Sequence, residues 1–301
     1  MVKAKKRKKS LNLEATIWAS IFLIPIFARV FITQIFTSFE SILFSFFDYD
    51  YGNPPGTYVG FENYKALLTS DLFWLQVKNT IVLYCMSMLG FGIPLIQALC
   101  LDQIKRGHGI LKWLYVVPCG LPAVAGASVW MYLWEPDVGL ANQLIGLFGV
   151  SPQSWLYDAK LIKWCIVIPG FMGGGMGVLT YLVVIRGVDP SLYEAAKLDG
   201  ASDFQLVRYI TIPNIMYYVS LSLVLSLTSI LSAFDGPYLY TNGTGGPEHA
   251  AETAIMGIYN RAFDQMQYGS GMASSVLIVL FSLVFVVISQ VAKRLMSKGD
   301  D

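Results

Sequence analysis

The residues with the most chemical content are Glu194-Ala195-Ala196-Lys197-Leu198-Asp199-Gly200-Ala201, a charged stretch between two long apolar runs, followed by Ile210-Thr211-Ile212-Pro213. Their chemistry is docking. Asp189 suits an N-cap, Pro190 the first helical position, where its missing N–H is no loss, and Gly200 a stop in the left-handed region. This predicts a short helix over 190–199. Ser202 and Gln205 have capping-box spacing, which starts a second helix through Arg208 into the next apolar run. The product is a helix, a tight Gly-Ala corner and a helix at a membrane surface. Leu192, Ala195, Ala196 and Leu198 then sit on a helix pointing away from the bilayer, a surface that needs a partner.

Catalytic chemistry is absent from the sequence. There is no Gly-x-x-x-x-Gly-Lys-Ser/Thr, His-Glu-x-x-His or Gly-x-Ser-x-Gly, so no catalytic residue is assigned and ATP hydrolysis is not expected of this chain. No metal site is expected either: His108 has no second His, Cys or carboxylate at ligand spacing, and Cys85, Cys100, Cys119 and Cys165 fall in or at the ends of apolar runs, as packing residues do. The Gly173-Gly174-Gly175-Met176-Gly177 cluster lacks the Lys-Ser/Thr of a phosphate cradle and reads as close helix packing. Candidates for lining a pathway through the apolar body are Asn79, Tyr84, Gln97, Trp130, Tyr132, Asp235 and Tyr238, the aromatic and planar polar side chains in or at the ends of these runs. Arg29 joins them as the one cation inside an apolar run; it either touches substrate or bonds carbonyls or a polar group of a neighbouring subunit.

The elements that hold these residues are membrane spans. The chain is 55% hydrophobic and only 14% charged, with a mean hydropathy of +0.55. Gaps between consecutive charges are long enough to cross a hydrocarbon core of roughly 30 Å. The expected fold is an all-α membrane protein with six transmembrane helices within 15–295, at 15–46, 76–102, 110–134, 161–186, 209–235 and 268–293, with a helical loop at 187–209, a basic arm at 1–14 and a tail at 296–301. Pro25 is a candidate kink in the first helix, and Pro118 with Pro122 should bend the third. Fifteen of the 21 Lys and Arg fall on the side holding both termini and the 187–209 loop. The positive-inside rule makes that side cytoplasmic. The first apolar stretch exceeds a signal-peptide core and is expected to be retained. The basic cluster from Lys3 to Lys9 is a topology signal that also attracts anionic lipid, not a nucleic-acid arm.

The 194–213 stretch resembles the EAA loop of ABC-importer permeases: Glu-Ala-Ala, three residues, Gly, nine residues, Ile, one residue, Leu-Pro. Glu194, Ala195, Ala196, Gly200, Ile210 and Pro213 match, and Ile212 stands where the family has Leu. Tyr58-Val59-Gly60-Phe61-Glu62-Asn63-Tyr64 is similar to a segment between the first two spans of sugar-type members, and Gly245-Gly246-Pro247 to their Gly-Gly-Pro loop, with one extra residue nearby. The resemblance implies a type I importer permease of the maltose/glycerol-3-phosphate kind in a bacterial inner membrane. It implies docking of Glu194, Ala195, Ala196, Leu198, Asp199, Gly200 and Ala201 on an ATPase subunit that itself binds ATP and Mg, and a second, homologous permease chain. It further implies an extracytoplasmic solute-binding protein meeting Gly245, Gly246 and Pro247.

Two other classes compete. A secondary transporter predicts inverted repeats and membrane-embedded acids for ion coupling, and no clear repeat is found. An intramembrane enzyme lacks its constellation. Within the importer reading the substrate is an oligosaccharide, with glycerol phosphate or an acidic saccharide as the alternative.

Overall fold

The computed structural model describes residues 13–52, 54–104, 107–172, 174–229 and 233–297. The cluster Lys3 to Lys9, the turn residues Lys105 and Arg106, and Gly173 lie outside the described residues. Two compact units form, one from residues up to Leu67 together with those from Arg261, the other from Leu68–Asn260.

In the first unit, α1 (Leu13–Val30) runs through Pro25 into a π-helix (Phe31–Phe36) and then α2 (Thr37–Phe44). The irregularity therefore falls after Arg29, beyond the proline. The chain then turns through a departure from the all-α expectation: β1 (Phe47–Asp48) pairs antiparallel with β2 (Thr57–Tyr58), Phe47 opposite Tyr58. The rings of this turn pack on one another, Phe46 against Phe61 and Tyr64, and Phe47 against Tyr58. Buried Ser45 shares a 2.6 Å hydrogen bond with Tyr64, and Asn63 Nδ2 donates to the Ser45 and Phe47 carbonyls. After α3 (Glu62–Leu68), the unit closes with α16 (Tyr268–Ser297), whose Gly269 N–H donates to Tyr49 O; a Cβ there would strike the Phe47 carbonyl.

The second unit holds α4 (Asp71–Met88) and α5 (Ile93–Gln103), successive parts of one apolar stretch, then α6 (His108–Cys119) and α7 (Ala123–Leu133). The axis bends by 100° between α6 and α7, where Pro118 and Pro122 deny the backbone two N–H donors. After α8 (Leu140–Gly146) come α9 (Ile162–Met172) and α10 (Gly175–Arg186). The glycines of α10 permit close approach, since a Cβ at Gly175 would fall on the Tyr115 carbonyl. Ala98, Leu101, Val178, Tyr181, Leu182, Ile185 and Ile215 form one core and Ala127, Trp134, Leu156, Ile162, Cys165 and Tyr240 belong to another. Of the four free cysteines, Cys165 is buried as expected and the other three are exposed. The unit ends with α11 (Pro190–Leu198), α12 (Asp203–Leu206), α13 (Ile212–Ser229), α14 (Asp235–Thr241) and α15 (Ala254–Tyr259).

Among the described residues, four helical stretches are long and apolar enough to cross a membrane: Ser20–Phe44, Asp71–Gln103, Ile162–Arg186 and Asp203–Ser226. The bent pair and the shorter apolar stretch Tyr268–Val284 occupy the third and sixth expected positions.

Candidate functional site

The helix-corner-helix forms as the capping residues dictate. Asp189 caps α11 by accepting from the Ser191 N–H at 2.9 Å, with Pro190 at the first position. At the far end, Ala201 N–H donates to Ala196 O and Gly200 N–H to Lys197 O, with Gly200 at φ +81°. This is a Schellman stop. Ser202 then closes a capping box with Gln205, whose side chain accepts from the Ser202 N–H at 2.7 Å. Pro213 offers no N–H to the Tyr209 carbonyl, and the turn before it, Val207–Thr211, widens into a π-helix. Tyr193 Oη meets Thr211 Oγ1 at 2.9 Å and ties α11 to that turn.

The face so built is open. No residue of α11 is buried; Glu194, Ala195, Asp199 and Gly200 are exposed, and Ala196 and Ala201 half-buried. Leu198 is 90% exposed and Phe204 70%. A cleft of about 420 Å³ between α5 and α11 includes Asp102, Arg186, Glu194 and Lys197 in its lining, and Arg186 is bonded to Asp102 at 2.9 Å.

The Ser191 amide, and then its hydroxyl, hold the Asp189 carboxyl below the usual carboxylate range. A pKa depressed by folding contributes stability above the unfolded value of about 3.9, lost as pH falls through the folded value. The expected outcome is a loss of hydrogen-exchange protection in the first turn of α11, corrected for intrinsic rates, on acidifying below about pH 4. Asp189→Asn, which caps without titrating, should remove the pH dependence; an unchanged profile would count against the cap as its source.

At the other end of the unit, Gly245 and Gly246 adopt φ +80° and +74°, but they face inward: a Cβ would meet Glu252 or Ile162. Gly245 is buried and Pro247 half-buried, while Glu248 and His249 are the exposed residues beside them. Beneath the loop lies a network that the sequence reading missed. Glu252, 3% exposed, accepts from Gln76 Nε2 at 2.9 Å and Asn260 Nδ2 at 3.2 Å, and its other oxygen lies 2.6 Å from His249 Nδ1. Asn79 Nδ2 donates to the His249 and Glu252 carbonyls. A Cβ on Gly257 would fall on the Gln76 amide.

The expected pathway residues of this unit do not converge. Asn79 is spent in that network. Trp130 stacks on Trp134, Tyr238 on Phe234, and Tyr132 and Asp235 are exposed. Tyr84 and Gln97 are half-buried, Gln97 Oε1 having no partner among the described residues. Arg29 is exposed in the other unit. A cavity of about 450 Å³ has instead Ser87, Phe91, Phe171, Tyr181, Tyr218, Ser222 and Ser226 among its lining residues, with Tyr181 Oη 2.9 Å from Ser222 Oγ. Its signal in the sequence was the four-residue spacing of Tyr218, Ser222 and Ser226 on one helix face.

Residues 90–299 match the family described as binding-protein-dependent transport system inner membrane component. A probable ABC transporter permease protein of Pyrococcus horikoshii is 30% identical, over 89% of this chain and 92% of that protein. The lactose transport system permease protein LacF of Rhizobium radiobacter is 28% identical, over 91% and 93%. In fold, the chain is similar to one in a bacterial alginate ABC transporter in complex with alginate pentasaccharide-bound periplasmic protein. The TM-score is 0.79 at 22% identity, covering 98% of this chain and 99% of that one.

Proposed function

The chain belongs to the family of binding-protein-dependent transport system inner membrane components, with their type I permease fold, and on that premise we propose that it is the non-catalytic permease subunit of an ATP-driven sugar importer. The observation that supports this is the open helix-corner-helix: a doubly capped element whose Leu198 is left 90% exposed among the described residues. A separate ATPase holding ATP and Mg docks there, a second permease chain completes the pathway, and a solute-binding protein delivers the sugar at the Gly-Gly-Pro loop. Both termini are cytoplasmic, as the basic residues require.

A neutral oligosaccharide suits the cavity, which offers rings and hydroxyls and, among the described residues, has no Lys, Arg, Asp or Glu in its lining. Similarity to LacF, named for lactose transport, supports the same class. The test is to purify the complex through a tag on this chain and measure its ATPase with sugar-loaded binding proteins. Co-purification of an ATPase that one loaded binding protein stimulates is the expected result; a chain recovered without an ATPase would overturn the reading. Stimulation only by an acidic saccharide would replace the neutral substrate.

A further inference from the structure

The loop between α7 and α9 is built with its polar side inward. Asn142, buried at its centre, donates from Nδ2 to the Pro136 and Gln153 carbonyls at 2.8 and 3.0 Å. Its Oδ1 accepts from the Gln153 N–H at 3.0 Å and from Trp155 Nε1 at 2.7 Å. Trp155 packs on Trp134, just past the end of α7, so the loop is held against that helix. The outward side is apolar. Leu140, Leu144, Leu147 and Phe148 have the spacing of one helix face, opposite Asn142, and all four are exposed, Leu147 by 80% and Phe148 by 85%. Val138 and Val150 extend the same exposed surface at either end. No Lys, Arg, Asp or Glu stands between Asp137 and Asp158. A loop surrounded by water does the reverse, burying its leucines and exposing its asparagine.

We infer that residues 138–150 form a monotopic lipid anchor, whose leucines and Phe148 lie among the acyl chains of the outer leaflet without crossing the bilayer. Leu140 to Phe148 spans only about 13 Å as helix, far short of a hydrocarbon core of roughly 30 Å, and an apolar face of this kind settles about 5–10 Å deep at the headgroup boundary. The surface is continuous with the membrane: the segment leaves from α7 of the bent apolar pair and returns into the apolar stretch Ile162–Arg186. Lipid suits it better than a docking protein does. A reversible protein interface is about as polar as the rest of a protein surface and has a polar rim, whereas this segment has no charge along its whole length. A binding protein also departs between deliveries and would leave the leucines in water; the bilayer is always present. The outer side rests on the proposed cytoplasmic termini, and the insertion itself does not.

The test uses noncanonical residues in the complete complex, because Cys85, Cys100 and Cys119 are exposed and would take a thiol label. The photo-crosslinker benzoylphenylalanine is placed at Phe148, and at the exposed Glu248 as a water-facing control, in native membranes. After irradiation the tagged chain is purified and its adducts are identified by mass spectrometry. A phospholipid adduct at position 148, absent from 248, is expected. An adduct with the binding protein or with a permease chain in place of lipid would overturn the occupant, and no adduct at 148 would overturn the anchor. A genetically encoded spin label at the same positions then reports the surroundings, in the complex reconstituted without binding protein in phosphatidylethanolamine–phosphatidylglycerol vesicles. The ratio of oxygen to chromium oxalate accessibility should be several-fold higher at 148 than at 248; equal ratios would overturn the insertion. In right-side-out native vesicles, a label at 248 that chromium oxalate added outside fails to broaden would overturn the orientation alone and leave the insertion standing.

Discussion

Replacing Leu198 by Asp is expected to leave the chain folded in the membrane while the ATPase no longer co-purifies with it and uptake is lost. Leu198 is 90% exposed, so its own fold loses almost nothing when the side chain changes. Burying a leucine against a partner contributes about 1.5–3 kcal/mol. Losing that term alone weakens association roughly ten- to a hundredfold, since about 1.4 kcal/mol is tenfold. A carboxylate carried into the same site adds a desolvation cost, which makes Asp far more severe than Ala. Gly200→Ala should act more mildly by another route: a Cβ there meets nothing within 4 Å, but the left-handed backbone at φ +81° costs about 1–2 kcal/mol for an L side chain. Recovery of the ATPase is read from the tagged complex and folding from its elution profile. Wild-type recovery with Leu198→Asp would remove the assignment of this corner as the docking element.

The second large effect is expected at Glu252. Glu252→Leu removes the carboxylate oxygen to which the buried Gln76 amide and the half-buried Asn260 amide both donate, leaving Asn260 Nδ2 its 3.3 Å bond to the Gly243 carbonyl. An orphaned buried donor costs about 1–3 kcal/mol. With one buried donor losing this acceptor the expected cost is roughly 1–3 kcal/mol, seen as a lowered thermal midpoint of the purified complex and weakened stimulation by the binding protein, because the loop above loses its anchor. Glu252→Gln keeps an acceptor for the amides and should lie near wild type at neutral pH. Gln76→Leu combined with Glu252→Leu should cost less than the sum of the two, since they share a bond. Additive costs, or a Glu252→Leu midpoint equal to that of Glu252→Gln, would show that the network does not hold the loop.

The two sites differ in how far they could be read from the chain alone. The corner at 189–205 was legible because each of its determinants is local. A cap, a proline, a glycine and a Ser-x-x-Gln box act within a few residues of themselves, and the structure forms the Asp189 cap, the Schellman stop and the capping box where those residues stand. The spans were legible for a similar reason, since runs without charge report their own burial in lipid or protein. Gln76 and Glu252 are 176 residues apart, and nothing beside either one states that an amide and a carboxylate will meet. The candidate pathway residues were chosen by type and depth, which leave open the direction in which each faces.

The sequence by itself determined the apolar helices, the capped corner and the exposure of its leucine, because backbone caps and hydrophobic runs are set by near neighbours. Tertiary structure decided the rest. It turned the glycines of the Gly-Gly-Pro loop inward onto Glu252 and Ile162, placed Asn79 in a clamp under that loop, and gathered Ser87, Tyr181 and Ser222 around one cavity. These outcomes depend on which helices touch and at what rotation, and that is fixed by packing among distant segments.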